Sequence, residues 1–194
     1  MRNLNLIFSI LSAFLLTACA HPIVISPEPS SLPVATEKIS KNIGFVISPA
    51  DRDRQITSPG GGGDSVSYVP YRDLEFGLYS TLSSIFSNAV PMTTTADPKK
   101  ISEQGLKFIF VPTIQTTSSS ESILTWPPTF FSIMIDYTVL DSAGTQVLSG
   151  RVLGEGRAEF SEFKSDFGLS AKRAGTDVFN KLKTKLLTST ELKN

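Results

Sequence analysis

One segment of the chain, residues 130–140, alternates between apolar and polar side chains. Its apolar positions are Phe131, Ile133, Ile135, Tyr137 and Val139. Because successive side chains of a strand point to opposite faces, this alternation predicts an antiparallel strand with one dry face. A sheet with one apolar face must be covered by other elements, so a layered fold is required.

A second strand follows directly. Asp141-Ser142-Ala143-Gly144 has the chemistry of a tight turn, and residues 146–160 supply the return strand of a hairpin. Three glycines interrupt this strand, which indicates a bulge or strong curvature there: Gly150, Gly154 and Gly156.

Two segments repeat apolar residues at the spacing of an amphipathic helix. The first runs from Pro70 to about Asn88, and its stripe is Leu74, Leu78, Leu82 and Ile85. The second runs from about Asp166 to Leu187, and its stripe includes Ala174, Val178, Leu182 and Leu186. We expect both helices to bury these stripes on the sheet.

Two further apolar runs predict strands. Residues 43–47 form a short buried strand, and residues 107–116 are apolar on both faces, as is typical of a central strand. Residues 51–70 are interpreted as a long loop. The order strand, helix, strand, strand, strand, helix predicts an α+β fold, with an antiparallel sheet of about four strands and two helices packed on one face.

The first residues have the layout of a secretory signal. A basic start at Arg2 precedes an apolar stretch of 13 residues, Leu4 to Leu16, and then Thr17-Ala18-Cys19. As a helix this stretch would span roughly 20 Å, against the roughly 30 Å of a bilayer core. It is therefore too short to be a permanent anchor.

The small residues before the only cysteine resemble the lipobox of bacterial lipoproteins. The resemblance implies cleavage between Ala18 and Cys19 and attachment of a diacylglycerol to Cys19, so that a covalent lipid anchors the protein to the membrane and no other cofactor is expected. The alternative is an ordinary signal with a chance cysteine. Because Ala20 rather than Asp follows the cysteine, the family rule implies the inner leaflet of the outer membrane, facing the periplasm.

Residues 20–41 are rich in proline and serine, which predicts an extended spacer reaching up to about 60 Å. The alternative is that Ile23-Val24-Ile25 packs on the domain as an edge strand. The predicted organisation is a signal peptide over 1–18, a lipidated cysteine and tether over 19–41, and a single periplasmic domain over 42–190.

Charge and loop chemistry argue against several ligands. Of the 18 Lys and Arg residues, Arg2 leaves with the signal, and the rest nearly balance 18 Asp and Glu residues, which argues against nucleic acid. The loop of Gly60 to Gly63 lacks the Lys-Ser/Thr of a phosphate cradle, so no nucleotide is expected. Asp51, Asp53 and Asp64 lack the ligand spacing of a calcium loop, and arginines 52 and 54 are expected to pair with them.

No catalytic constellation is recognisable. The single histidine, His21, lies in the predicted tether, where no core would hold it, and no motif places a base beside a serine. A thioether at Cys19 leaves no thiol for metal or redox chemistry. Paired carboxylates for glycan hydrolysis depend on tertiary structure and stay open. We expect a protein that is neither an enzyme nor a metal binder.

The loop between the predicted strands 107–116 and 130–140 carries Trp126-Pro127-Pro128. A tryptophan stiffened by prolines is the kind of rigid aromatic anchor that is enriched at binding hot spots. We predict that these three residues contact a partner. The alternative is that Trp126 folds back as a lid on the core.

The mature chain resembles the YajG-like group of small Gram-negative outer-membrane lipoproteins. The residues that carry the likeness are Asn42 to Val46, Tyr71 to Leu74 and Gly154 to Phe160. The broader likeness, to envelope-assembly lipoproteins, implies action by binding partners. We predict a non-enzymatic accessory or interaction subunit of a cell-envelope complex, with envelope proteins as partners. The alternative is a lipoprotein that binds a small apolar or glycan ligand.

Overall fold

A computed structural model describes residues 20–34, 37–121, 125–163 and 166–193. The predicted signal peptide, its cleavage site at Ala18 and the lipidation residue Cys19 lie outside these residues. Among the helices of the described ranges, none is both long and apolar enough to cross a bilayer.

The described part of the chain contains eight strands and five α-helices. The strands are β1 (His21–Pro22), β2 (Ile39–Val46), β3 (Ile56–Pro59), β4 (Ser65–Tyr68), β5 (Phe86–Met92), β6 (Leu106–Ser119), β7 (Phe130–Asp141) and β8 (Gln146–Arg157). The α-helices are α1 (Pro49–Arg52), α2 (Pro70–Ile85), α3 (Pro98–Glu103), α4 (Phe160–Phe163) and α5 (Leu169–Leu187). A single 3-10 turn lies at Pro29–Ser31.

The main sheet is mixed and has five strands, in the order β5-β2-β6-β7-β8. β6, β7 and β8 form an antiparallel meander, whereas β2 runs parallel to both of its neighbours. The α+β class is confirmed, and β6 is the central strand. The prediction of about four antiparallel strands is wrong, because the chain crosses over through α2 between β2 and β5, a connection that makes strands parallel.

β5 is a strand of the main sheet that was not predicted, and it begins directly where α2 ends. The helix stops at Ile85, not near Asn88, and Phe86 is already the first strand residue. Phe86 extends the apolar stripe of the helix and is also fully buried in the strand. Periodicity alone could not separate the two elements, because this residue satisfies both patterns.

Residues 51–70, predicted to be a loop, contain the strands β3 and β4. Together with β1 from the N-terminal segment they form a second sheet, in the order β1-β4-β3. The Gly60–Gly63 segment is the turn of the β3–β4 hairpin, where Gly62 and Gly63 have φ values of 64° and 88° that favour glycine. A hydrogen bond of 2.8 Å between the hydroxyls of Tyr68 and Thr116 joins this hairpin to the main sheet.

Both long helices pack on one face of the main sheet, α5 over β7 and β8 and α2 over β5 and β2. The helices meet where the ring of Phe179 lies against Gly77. The largest fully buried side chains of this core include Phe45, Phe110, Phe131, Phe179, Leu74 and Leu82. On the other face, Ile101 of α3 packs against a smaller cluster that contains Ile109.

The glycines of β8 allow α5 to lie very close to the strand. A Cβ atom on Gly154 or Gly156 would meet the backbone of α5 at Ala174. The register shift in the β7–β8 pair lies elsewhere, between Val139 and Leu140. Of the two predicted alternatives, a bulge or strong curvature, the bulge is wrong at Gly154 and Gly156. These glycines are needed for close helix packing.

Side chains of α5 also occupy the outer edge of β8. Asp177 accepts a hydrogen bond from the backbone N–H of Glu155 at 3.0 Å, and Lys181 donates to the carbonyl of Leu153 at 2.9 Å. These backbone groups face away from β7 and would otherwise be open to a strand from another chain. The helix therefore protects this part of the edge from intermolecular pairing.

We predict that Gly156→Ala lowers the free energy of unfolding by about 1–3 kcal/mol, because the added methyl group would overlap the backbone of α5. Urea denaturation measures this loss. The neighbouring exposed Glu155→Ala serves as the control and should change stability by less than about 0.5 kcal/mol. Equal effects from the two substitutions would contradict the close-packing role.

Candidate interaction surface

The first described segment, residues 20–34, packs on the domain and is not a free spacer. Ile25 is fully buried, and Ile23 and Leu32 are nearly so. The backbone N–H of Ile23 donates to the carbonyl of Ser67 at 2.9 Å, next to the β1–β4 pairing. The predicted spacer is therefore wrong for this segment, because proline removes only its own N–H donor and leaves the apolar side chains free to pack.

Polar contacts fasten this N-terminal segment to both long helices. The Ser26 hydroxyl donates to the backbone carbonyl of Asp73 at 2.6 Å, in the first turn of α2. Burial raises the pKa of the Asp73 carboxyl, and hydrogen bonds from backbone N–H groups, including that of Ile25, partly offset the rise. On α5, Lys172 lies 3.1 Å from the carboxylate of Glu28. The segment is thus held across the α2 and α5 helices.

His21, which was expected to have no fixed environment, stacks on Trp126. The ring centroids are 4.3 Å apart and the ring planes meet at 24°. The Nε2 atom of His21 lies 3.9 Å from a carboxylate oxygen of Asp64. Phe167 also contacts the indole, with centroids 4.6 Å apart at an angle of 49°. His21 and Phe167, which are far apart in the sequence, thus both contact the tryptophan that is predicted to bind a partner.

Hydrogen bonds to backbone carbonyls hold the Trp126-Pro127-Pro128 segment against the domain. The carbonyl of Trp126 accepts a hydrogen bond from the N–H of Gly61 at 2.8 Å, and the hydroxyl of Ser170 donates to the carbonyl of Pro128 at 2.7 Å. Trp126 is partly buried against the main core, and both prolines are buried. This geometry matches the lid alternative. Contact of these three residues with a partner stays a prediction.

Exposed apolar side chains surround this stack. Phe160 is 69% exposed, Phe167 is 41% exposed and Val24, whose carbonyl abuts Gly168, is 58% exposed. We call His21, Val24, Trp126, Phe160 and Phe167 the aromatic surface. A cavity of about 410 Å³ opens among the tryptophan and the phenylalanines. Phe160 and Phe167 are not among the predicted site residues, although their spacing with Phe163 is that of a helical apolar stripe.

An ion pair holds the short helix α4 that carries Phe160. The guanidinium of Arg173 donates to the Glu162 carboxylate at 2.8 Å and to the carbonyl of Arg157 at 2.7 Å. These contacts with Arg173, together with the backbone N–H of Glu159, lower the pKa of Glu162 to about 2. Glu162 therefore stays ionised over the whole physiological range and keeps its charge-assisted contact with Arg173.

A second exposed stripe lies on α2. Arg72, Phe76 and Tyr79 follow one another at intervals of four and three residues, so they share one helical face. Phe76 is 56% exposed and Tyr79 is 42% exposed. We call these three residues the α2 stripe. The apolar periodicity of this helix marks only its buried stripe, so it does not predict the two aromatic residues that face solvent.

Asp51 and Asp64, two of the three carboxylates considered for calcium, have other neighbours. Asp51 accepts a hydrogen bond from Ser48 at 2.7 Å and lies 3.5 Å from Arg54, as predicted, whereas Arg52 pairs with Glu75 instead. Across the described ranges, no group of three or more His, Cys, Asp or Glu side chains is arranged to hold a metal ion.

Comparison with known proteins gives distant structural similarities alone. The sequence matches no protein-family model and no curated protein. Solved structures that resemble this chain include XCC0632 from Xanthomonas campestris, a protein of the DUF330 family, with a TM-score of 0.47 and 9% identity over 90% of this chain and 93% of that chain. Another is a candidate lipoprotein from Caulobacter crescentus CB15, with a TM-score of 0.35 and 14% identity over 59% of this chain and 78% of that chain. Neither similarity is close enough to carry an argument, and the YajG-like resemblance is not confirmed.

We predict that Arg173→Ala returns the pKa of Glu162 from about 2 toward its ordinary value of 4.5, because the guanidinium is the main cause of the shift. Any stability from this pair is fully present above pH 4.5 and is lost as the pH falls through about 2. Carboxyl titration by NMR measures the shift. Arg151→Ala, which removes the partner of Asp136, is the control and should leave the pKa of Glu162 unchanged.

Proposed function

We propose that this chain is a lipid-anchored lipoprotein on the periplasmic side of the outer membrane and serves as a non-enzymatic accessory subunit of a cell-envelope complex. Candidate complexes are secretion, lipid or lipopolysaccharide transport, and wall-synthesis machines. The lipobox-like Ala18-Cys19 junction supports the anchor. The observation that carries the accessory role is the exposed α2 stripe.

The residue types of the α2 stripe favour protein recognition. Arginine and the large aromatic residues are enriched at the centres of protein interfaces. Aromatic side chains supply contact area at a low cost in conformational entropy, and the guanidinium of Arg72 can make a bidentate hydrogen bond to a carboxylate. A surface of this composition fits a partner that presents an apolar patch beside an acidic residue.

The α2 helix holds these side chains rigidly. On its inner face Leu74, Leu78 and Leu82 are buried in the core, so the exposed residues stand on a fixed support. The N-terminal segment crosses the start of the same helix through Ser26 and Asp73. A lipid at the amino terminus would therefore confine the α2 stripe to the membrane surface, which raises its effective concentration for a membrane-bound partner.

We expect a photo-crosslinking amino acid in place of Phe76 to capture envelope proteins in intact cells, because this position lies within the proposed interface. The same amino acid at Leu153, an exposed residue of β8, is the matched control and should capture markedly less. In gentle detergent, Phe76→Ala combined with Tyr79→Ala should abolish co-purification of the captured proteins without lowering the melting temperature. Equal capture at both positions would contradict the α2 stripe as the interface.

We also expect Cys19→Ala to abolish incorporation of labelled palmitate and to release the protein from the outer-membrane fraction, because Cys19 is the proposed site of the lipid. Fractionation and metabolic labelling measure both effects. Labelling that survives the substitution, or native protein found in the inner membrane, would contradict the proposed anchor.

A further inference from the structure

The distance between the proposed lipid and the folded domain is very short. His21 is paired in β1 and stacked on Trp126, and only Ala20 separates it from Cys19. Two residues of chain reach at most about 7 Å. If the acyl chains of Cys19 enter a bilayer, the headgroup region must therefore pass close to His21 and to the tryptophan stacked on it.

The side chains at this point suit the boundary between lipid and water. Tryptophan is enriched at membrane interfaces, where its ring lies among the headgroups. Phe160, Phe167 and Val24 add exposed apolar area beside it. Exposed apolar side chains clustered in this way mark a surface that is covered by another molecule or by a membrane.

Two carboxylates at the border of the aromatic surface contact cationic side chains of α5. Glu162 is bonded to Arg173, and Asp166 lies 3.2 Å from Lys172. Asp64 lies beside His21. The contacts with Arg173 and Lys172 partly offset the negative charge that would oppose contact with an anionic membrane.

The geometry points to the aromatic surface as a membrane-contact site, at which Trp126, Phe160, Phe167 and Val24 lie in the headgroup and upper acyl region of the bilayer that holds the lipid of Cys19. This inference rests on the proposed lipid anchor. A lipid surface is the occupant, rather than a protein, because the chain itself would bring the bilayer within reach of His21. The domain thus lies on the membrane in one orientation, with no water-filled gap beneath it.

The chain contains a single tryptophan, so its intrinsic fluorescence reports on this surface directly. The acylated protein is purified from membranes in detergent, its mass is measured, and it is reconstituted into phosphatidylethanolamine–phosphatidylglycerol vesicles with plain or brominated acyl chains. We expect brominated lipid to quench Trp126 in the wild-type protein. Phe160→Ser should reduce that quenching. The control Phe76→Ser, which replaces another exposed phenylalanine on α2, should leave the quenching unchanged.

The outcomes separate the two proposals. A mass without acyl chains on Cys19 contradicts the lipoprotein assignment, and this inference with it. An acylated protein whose tryptophan fluorescence is the same in plain and brominated vesicles overturns the membrane contact alone. Loss of quenching in the Phe76 variant to the same degree as in the Phe160 variant would also overturn it, because the effect would then not depend on the aromatic surface.

Discussion

Burial of the apolar side chains of residues 20–34 fixes the N-terminal segment on the domain and so determines where His21 lies. A fully buried aliphatic side chain such as Ile25 contributes about 1.5–3 kcal/mol, more than an exposed ion pair such as Glu28 with Lys172. The apolar contacts therefore hold the segment, and the polar contacts set its path across α2 and α5. Because the segment is held, His21 stacks on Trp126. The proposed lipid on Cys19 then lies beside the aromatic surface.

Much of the fold follows from patterns in the sequence. The alternation from Phe131 to Val139 and the leucine stripe of α2 each mark one buried face, and the structure buries both. The mixed sheet could not be predicted, since Phe86 continues the helical stripe and starts a strand without an intervening loop. Parallel pairing is also a tertiary property, set by the crossover through α2 and not by the residues of β2.

The candidate surfaces were only partly predictable. The importance of Trp126 was visible from its prolines and its place between two strands, but its neighbours come from positions 21 and 167, which no local pattern connects. The proline-rich sequence around His21 favours an extended chain, which predicts no fixed environment for this side chain. Burial of the nearby Ile23 and Ile25 overrides that preference. The glycine loop likewise holds the carbonyl of Trp126 through Gly61, a role that depends on contact across the fold.

The proposed membrane contact places the domain directly on the bilayer that holds its lipid and leaves the α2 stripe for a protein partner. Neutron reflectometry of the acylated protein on a supported bilayer measures the distance between domain and membrane. We predict a protein layer that is continuous with the headgroups. A water layer of tens of ångströms between bilayer and protein, as an extended spacer of up to about 60 Å would produce, would contradict it.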